Sequence, residues 1–429
     1  MEKFFKMKER GTNLRREIVA GLTTFLAMAY ILAVNPGMLA NTGMNASAVF
    51  TATALAAAVA TLVMAFTANL PIALAPGMGL NAFFTFTVVI GMGISWQTAL
   101  TAVFLEGILF IILSFFNVRE SIIKAIPSNL KKAVAAGIGL FICFIGFQNA
   151  GIIVNNDATL VGLGNLTQGS AVVAMIGLAI TAVLFALKVP GSILIGILIT
   201  TIIGLPFKVT LIPQDWSPVS VPASPLLFQF DFSNIFSFEF FAVFFTFLFV
   251  DIFDTVGTLV GVASEAHLTD SNGNVPRVKQ ALLSDAIGTV AGACLGTSTV
   301  TSYVESTAGV AAGGRTGATA LTTGVLFLLA LFLSPLFLLV PAAATAPALI
   351  IVGFLMLKSV TAIDFNNVSE GLSAFITIVM MPFAYSIAEG IVWGIITYVV
   401  MKTATGKAKS IPVLTWVLFV VFVLRLILA

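Results

Sequence analysis

Long apolar runs, separated by short breaks rich in glycine, proline and charge, cover most of the chain. Many of these runs reach roughly 17–25 residues, which is enough for a helix to cross a hydrocarbon core of about 30 Å. Because backbone groups in lipid must hydrogen-bond within their own segment, the runs are expected to be helices. A membrane β-barrel would show alternating segments of about ten residues instead. The pattern predicts an all-α polytopic membrane protein.

The breaks divide the chain into fourteen predicted spans, of which the third and tenth are short. The spans are 18–34, 47–67, 72–92, 97–116, 128–150, 170–188, 190–207, 239–263, 281–297, 303–317, 319–338, 341–358, 370–386 and 387–402. A further apolar segment, 411–429, follows them. The sequence leaves open whether this segment crosses the membrane or lies at its surface.

The two halves of the chain repeat one another in order and in spacing. The matching features are TALT at 98–101 and 319–322, Ala60-Thr61 with Gly288-Thr289, and the pairs Pro127/Gly139 and Pro341/Gly353. A unit of seven spans is odd, so its second copy must insert upside down. Such a 7+7 inverted repeat is typical of secondary transporters, which bind substrate near the midplane where the repeats meet.

Composition and charge agree with this prediction and orient the chain. Hydrophobic residues make up 59% of the 429 residues, charged residues 9%, and the mean hydropathy is +1.10. The charged segment 1–17 has no signal-peptide cleavage pattern after it, so the first span is expected to be retained. With this segment in the cytoplasm, 18 of the 20 Lys and Arg residues, Arg119 and Lys124 among them, fall on the cytoplasmic side.

Carboxylates within the predicted spans require an explanation. Inserting an ionised acid at mid-membrane costs a free energy of at least about 2.5–3.5 kcal/mol. They are Glu106, Asp251, Asp254, Asp285, Glu305 and Glu389. Each could simply bond a neighbouring helix when protonated, but the surroundings of Asp254 and Glu305 favour a substrate site. Asp251 and Asp254 are one helical turn apart and would repel if both were ionised. Asp251, Asp254 and Glu305 are therefore candidates for proton coupling.

Two stretches, at matching places in the two repeats, are predicted to interrupt their helices. In NLPIALAPGMGLNAFF (69–84), Pro71 and Pro76 break any helix, and the polar stretch GTSTVTSY (296–303) precedes Glu305. Each indicates extended backbone leading into a half-helix, whose free N–H groups would face a midplane site. The glycines that follow could alternatively serve close helix packing.

The chemistry of this predicted site favours a neutral, planar substrate with several N–H donors. Asp254 and Glu305 would repel an anion, whereas carboxylates accept paired N–H bonds and the many phenylalanines offer stacking faces. Nucleobases meet this description. The chemistry alone does not exclude other amide-like or cationic solutes as substrates.

Three stretches, LAPGMGLNAFF, FVDIFDTVGTLVG and ESTAGVAAGGRTG, carry a specific resemblance. With REIVAGLTTFLAMAYILAVNP near the N-terminus, they make the chain similar to the AzgA-like hypoxanthine/guanine permease branch of the nucleobase–cation symporters. Related uracil and xanthine carriers bind the base with an acid in the eighth helix and another at the start of the tenth half-helix. The motifs place these acids at Asp254 and Glu305.

The resemblance also implies a domain organisation. Fourteen helices, with short strands before broken helices 3 and 10, would form a core domain and a gate domain. The expected core is 18–116 (helices 1–4) and 239–338 (helices 8–11), and the expected gate is 128–207 (helices 5–7) and 341–402 (helices 12–14). The resemblance suggests a homodimer formed through the gate domain.

The sequence thus predicts a plasma-membrane transporter that imports purine bases, hypoxanthine or guanine before adenine, by proton symport. Asp254 and Glu305 would bind the N–H edge of the base, while Ala75, Gly77 and Met78 would line the opposite side. No cofactor, metal or nucleic-acid partner is expected, and sodium stays open as the coupling ion. The alternatives are an anion carrier of the same fold and a passive facilitator. An enzyme is not expected, because the single histidine lies in a loop.

Overall fold

The computed structural model describes residues 1–115, 127–269 and 275–428. Arg119 and Lys124 lie outside the described residues, as do the predicted limits at 116 and 429. Within the described ranges the chain is mainly helical and contains four short strands.

The first half of the chain contains the elements that precede residue 204. They are α1 (Leu14–Met28), α2 (Ile31–Ala40), α3 (Ala46–Val63), β1 (Leu74–Pro76), α4 (Met78–Ala82), α5 (Trp96–Phe115), α6 (Ser128–Asn149), β2 (Ile153–Asn156), β3 (Leu160–Leu163), α7 (Gly169–Ala186) and α8 (Ser192–Ile203). Wider π-helical turns extend α3 over Met64–Ala68 and α4 over Phe83–Gly91. β2 and β3 form an antiparallel hairpin between α6 and α7.

The second half begins with the longest helix described. Its elements are α9 (Phe238–Glu265), α10 (Val278–Leu295), β4 (Val300–Ser302), α11 (Ser306–Ala311), α12 (Gly317–Ala330), α13 (Ser334–Leu338), α14 (Ala342–Leu357), α15 (Val368–Phe383), α16 (Ile387–Ala404) and α17 (Val413–Leu428), with 3-10 turns at Leu331–Leu333, Lys358–Ala362 and Ala408–Ser410. Among the described residues, nine helical stretches are long and apolar enough to span a membrane. Shorter apolar helices accompany them.

The first span starts earlier than predicted and is interrupted, whereas the prediction is one helix over 18–34. α1 begins at Leu14 because Asn13 Oδ1 accepts a hydrogen bond from the Arg16 amide at 3.0 Å. The charged first turn therefore belongs to the helix, although hydropathy alone excludes it. Tyr30 lies at the interruption between α1 and α2 and is fully buried.

The predicted strands before the two half-helices are present and pair with each other. β1 and β4 run antiparallel over three residue pairs, and all six residues are buried. The pairs are Leu74 with Ser302, Ala75 with Thr301, and Pro76 with Val300. Extended backbone at membrane depth needs hydrogen-bond partners. Each interrupted span supplies these partners for the backbone N–H and C=O groups of the other.

Each strand is fixed by a threonine from its own half of the chain. Thr61 in α3 donates to the Leu74 carbonyl at 3.0 Å and accepts from the Leu74 amide at 2.9 Å. Thr289 in α10 makes the same two bonds with Val300, at 3.0 and 3.2 Å. The sequence match between the two threonines is thus a match in structure, and the 7+7 inverted repeat is confirmed.

The two TALT stretches are also equivalent, because the first threonine of each donates to a carboxylate. Thr98 Oγ1 donates to Asp231 Oδ2 at 2.9 Å, and Thr319 Oγ1 donates to Glu17 Oε2 at 2.6 Å. Each acid lies near the start of the first helix of its half. Hydrogen bonds from Ser233, and then from Thr98, lower the pKa of Asp231, which lies in the connection before α9.

Equivalent glycines of the two halves meet where α6 crosses α14. A Cβ built on Gly139 would lie 2.7 Å from the carbonyl oxygen of Gly353. A Cβ built on Gly353 would in turn clash with the carbonyl oxygen of Gly139. Since the obstacle is backbone on both sides, only glycine permits this approach of the two helices.

Candidate functional site

Two half-helices begin where the strand pair ends. The Gly77 amide donates to the Thr299 carbonyl at 3.0 Å, and the Tyr303 amide donates to the Ala73 carbonyl at 3.0 Å, so the ladder extends beyond both strands. α4 begins at Met78, directly after this ladder, and α11 begins three residues after Tyr303. Extended backbone therefore leads into a helix in both halves, as the sequence predicts.

Glu305 directly precedes the first residue of α11. Its side chain is hydrogen-bonded by a residue at the interruption of the first span. The Tyr30 hydroxyl donates to Glu305 Oε1 at 2.5 Å, which joins residues 275 positions apart. Tyr30 is fully buried, whereas Glu305 is only partly enclosed. A hydrogen bond to a carboxylate is a strong way to satisfy a buried phenol. The bond leaves acceptor capacity on the second carboxylate oxygen.

Asp254 lies on α9, and Thr301 connects it to the strand pair. Thr301 Oγ1 lies 3.4 Å from Asp254 Oδ2, and Thr301 is paired with Ala75 in the strand register. Glu305 follows Thr301 by four residues. The structure therefore brings Asp254, Glu305 and Ala75 to the same strand pair.

The predicted opposite side of the site, formed by Ala75, Gly77 and Met78, is buried. One buried apolar cluster includes Tyr30, Ala75, Met78 and Tyr303. Gly77 packs so closely on β4 that a Cβ there would clash with Thr301 Cγ2. The Tyr303 hydroxyl donates to the Pro76 carbonyl at 2.6 Å, which fixes the strand just before Gly77.

Two further acids are linked to Thr301 through Thr255. Thr255 Oγ1 lies 2.8 Å from Thr301 Oγ1, 2.8 Å from Asp285 Oδ1 and 3.3 Å from Asp251 Oδ1. Asp251, Thr255 and Asp285 are all fully buried. Two threonine hydroxyls thus connect Asp254 to Asp251 and Asp285.

Glu106 is joined to the backbone of the strand region. Its Oε2 accepts a hydrogen bond from Thr299 Oγ1 at 3.0 Å, one residue before β4. Asn81 in α4 accepts from Ser298, the next residue upstream. Both contacts hold the extended stretch that precedes β4 in place, so Glu106 supports the strand pair.

Glu389 lies apart from the strand pair and lines a cavity of about 260 Å³ together with Phe83, Thr246 and Tyr385. Neither Asp254 nor Glu305 lines this cavity. On α9 the cavity reaches Phe249, five residues from Asp254, which is about 7.5 Å along the helix axis.

Sequence reasoning missed the residues that connect the acids, namely Tyr30, Thr255 and Thr301. One signal was available for Tyr30, because the chain has 4 tyrosines against 38 phenylalanines and Tyr30 lies inside the apolar run 18–34. Thr301 lies in a polar stretch with several hydroxyl side chains, and the sequence does not indicate which of them contacts an acid. Across residues 1–115, 127–269 and 275–428, no cluster of three His, Cys, Asp or Glu side chains is arranged to hold a metal ion.

Comparison with known proteins decides the family. The sequence profile of the permease family Xan_ur_permease matches residues 15–393. The guanine/hypoxanthine permease PbuG of Bacillus subtilis is 49% identical over 439 residues, covering 100% of this chain and 99% of PbuG. The adenine permease AdeP of Escherichia coli is 44% identical over 429 residues, covering 100% of this chain and 96% of AdeP. The chain belongs to the permease family.

Solved structures of similar fold include transporters of other solutes. The transmembrane domain of the cyanobacterial bicarbonate transporter BicA superposes with a TM-score of 0.70 at 16% identity, covering 89% of this chain and 97% of that domain. The murine anion transporter Slc26a9 gives 0.66 at 12% identity, covering 91% and 68%. At these identities the likeness shows the fold alone. As a permease, the chain is a multi-pass transporter of the plasma membrane and not an enzyme.

Proposed function

We propose that this permease imports purine nucleobases, with hypoxanthine and guanine preferred to adenine. Relatives that match the whole chain at 44–49% identity are named adenine and guanine/hypoxanthine permeases. The observation that carries the proposal is the placement of Asp254 and Glu305 beside one strand pair, where each carboxylate contacts a neutral hydroxyl. Neutral partners leave the carboxylates as acceptors for N–H groups of a ligand.

In this proposal each residue is assigned a role from its position relative to the strand pair. Asp254 and Glu305 accept hydrogen bonds from the N–H edge of the base. Ala75, Gly77 and Met78 contribute close backbone and an apolar wall on the opposite side, where a planar ring can lie flat. The clash that a Cβ on Gly77 would make supports a backbone position with no room for a side chain.

The coupling ion in this proposal is a proton. Asp251, Asp254 and Glu305 are its candidate carriers, and Asp285 joins them because Thr255 contacts both Asp251 and Asp285. Acids that share a partner in a low-dielectric interior are costly to ionise together, so uptake of a proton is favourable there. The threonine hydroxyls connect this group to the acid that binds the base.

Alternating access would come from a core domain (18–116 and 239–338) moving against a gate domain (128–207 and 341–402). The glycine contact between α6 and α14 supports a rigid gate, since backbone obstructs any closer or shifted packing. The strand pair, α9 and the half-helices would move together as the core. A homodimer through the gate domain is part of the same proposal.

The function is tested in proteoliposomes that contain the purified permease. With an inward proton gradient, labelled hypoxanthine should accumulate above equilibrium, and an uncoupler should collapse the accumulation. Unlabelled guanine should compete strongly, adenine less, and xanthine and uracil weakly. Replacing the proton gradient with a sodium gradient should give no accumulation.

The same assay separates the rival functions. A passive facilitator would bring hypoxanthine only to equilibrium and would ignore the uncoupler. An anion carrier would take up sulfate or bicarbonate and leave hypoxanthine outside. The acids at the strand pair oppose an anion carrier, because Asp254 and Glu305 would repel its substrate.

A further inference from the structure

Tyr30 is an unusual choice of residue for its position. It is fully buried at the interruption of the first span and belongs to the same buried cluster as Ala75 and Met78. Phenylalanine is the common aromatic residue of this chain, with 38 copies against 4 tyrosines. A buried hydroxyl costs free energy unless it is bonded, so packing alone would favour phenylalanine here.

The hydroxyl of Tyr30 has one hydrogen, and it is directed to Glu305. The distance from Tyr30 Oη to Glu305 Oε1 is 2.5 Å. A carboxylate can accept two parallel N–H bonds only when both of its oxygens face the donors. With Oε1 held by the phenol, Oε2 is the oxygen best placed to meet a ligand. Oε1 keeps a second lone pair, but the phenol occupies one side of it, so Oε2 is the main acceptor that Glu305 offers to the substrate.

We propose that Tyr30 is a positioning residue that presents one oxygen of Glu305 to the substrate and thereby sets the preference between hypoxanthine and guanine. The inference rests on the proposed function. Guanine carries two adjacent donors, its ring N–H and its amino group, which match a two-oxygen acceptor. Hypoxanthine carries the ring N–H without the amino group. When Glu305 presents a single oxygen, the amino group of guanine gains no second bond to it. The difference in binding affinity between guanine and hypoxanthine is therefore smaller.

Removing the hydroxyl tests this role. In Tyr30→Phe, Glu305 is released to present both oxygens, so guanine should gain relative to hypoxanthine. We expect the inhibition constant of hypoxanthine divided by that of guanine to rise about tenfold, which is the effect of one charge-assisted hydrogen bond. Competition against labelled hypoxanthine in proteoliposomes gives both constants. Tyr30→Met also lacks the donor and should shift the ratio in the same direction.

Tyr398→Phe is the matched control, since Tyr398 is a buried tyrosine on α16 near Lys402 and apart from the strand pair. It should leave the ratio unchanged. Thermal unfolding of each purified variant shows whether it is folded. An unchanged ratio in folded Tyr30→Phe and Tyr30→Met, or an equal weakening of both bases, would overturn the inference.

The test also distinguishes this inference from the proposed function. If wild-type protein binds purines and Glu305→Gln loses them, the proposed site stands whatever Tyr30→Phe does. If neither Glu305→Gln nor Asp254→Asn affects binding, the proposed site itself fails.

Discussion

Thr301 Oγ1 lies 3.4 Å from Asp254 Oδ2, which is 47 positions away in the sequence. Thr301 Oγ1 also lies 2.8 Å from Thr255 Oγ1. One side chain of β4 thus contacts the acid proposed to bind substrate and, through Thr255, the buried acids Asp251 and Asp285. The strand pair positions this threonine, because Thr301 is in register with Ala75.

Thr301→Val should weaken hypoxanthine uptake. The substitution keeps the branched shape but removes the hydroxyl that bonds Asp254, so the half-saturation concentration should rise about tenfold. Thr301→Ser keeps the hydroxyl and should stay within about threefold of wild type. Concentration-dependent uptake in proteoliposomes measures both. Normal uptake by Thr301→Val would show that this bond does not position Asp254.

Gly77→Ala should abolish most uptake for a purely steric reason. The backbone of Gly77 is in an extended conformation that alanine can adopt (φ −74°), but its Cβ would clash with Thr301 Cγ2. Thr301→Ser removes that methyl group. The double variant should therefore recover at least half of the lost uptake. Failure of the double variant to recover would assign the defect to something other than this contact.

Gly139→Ala should destabilise the helix crossing between α6 and α14. Its Cβ would lie 2.7 Å from the Gly353 carbonyl oxygen, and overpacking of this kind costs about 1–3 kcal/mol. Gly261→Ala is the control, because a Cβ there has no neighbour within 4 Å. Thermal unfolding in detergent should show a lower midpoint for Gly139→Ala alone. Equal midpoints would contradict the close crossing.

Glu17→Gln should reduce stability without changing substrate affinity. Glu17 accepts hydrogen bonds from the amides of Arg315, Thr316 and Thr319 and from the Thr319 hydroxyl, at 2.6–3.2 Å, and so caps α12. The amide retains one acceptor and loses the charge that favours a helix N-terminus, which costs about 1.5–3 kcal/mol.

Thermal unfolding measures the Glu17→Gln effect, with Glu9→Gln as its control. The Glu9 side chain is 68% exposed in its pair with Lys6, so removing its charge should not shift the midpoint. A Glu17→Gln protein as stable as wild type would show that the cap is dispensable.

Local sequence patterns account for much of the fold. Proline at 71 and 76 and the polar stretch before Glu305 predict the interrupted spans, because neither can continue a helix in lipid. The cost of burying charge draws attention to six acids, and the surrounding sequence selects Asp254 and Glu305 among them. Matching threonines and glycines predict the repeat, since each half must build the same contacts.

The connecting residues escape prediction because their partners are remote in sequence. Tyr30 and Glu305 are 275 positions apart, and nothing local in either stretch specifies the other. Asp285 is one acid among several until the contact from Thr255 links it to Asp254. The start of α1 at Leu14 depends on the Asn13 cap, which hydropathy does not register.

Equilibrium binding of labelled hypoxanthine to purified wild type, Asp254→Asn and Glu305→Gln tests the central claim most directly. Both substitutions preserve side-chain size and remove the acceptor charge, so each should weaken binding at least tenfold. Glu389→Gln, which alters an acid away from the strand pair, should bind as wild type does. Wild-type affinity in folded Asp254→Asn and Glu305→Gln would contradict a substrate site built on these two acids.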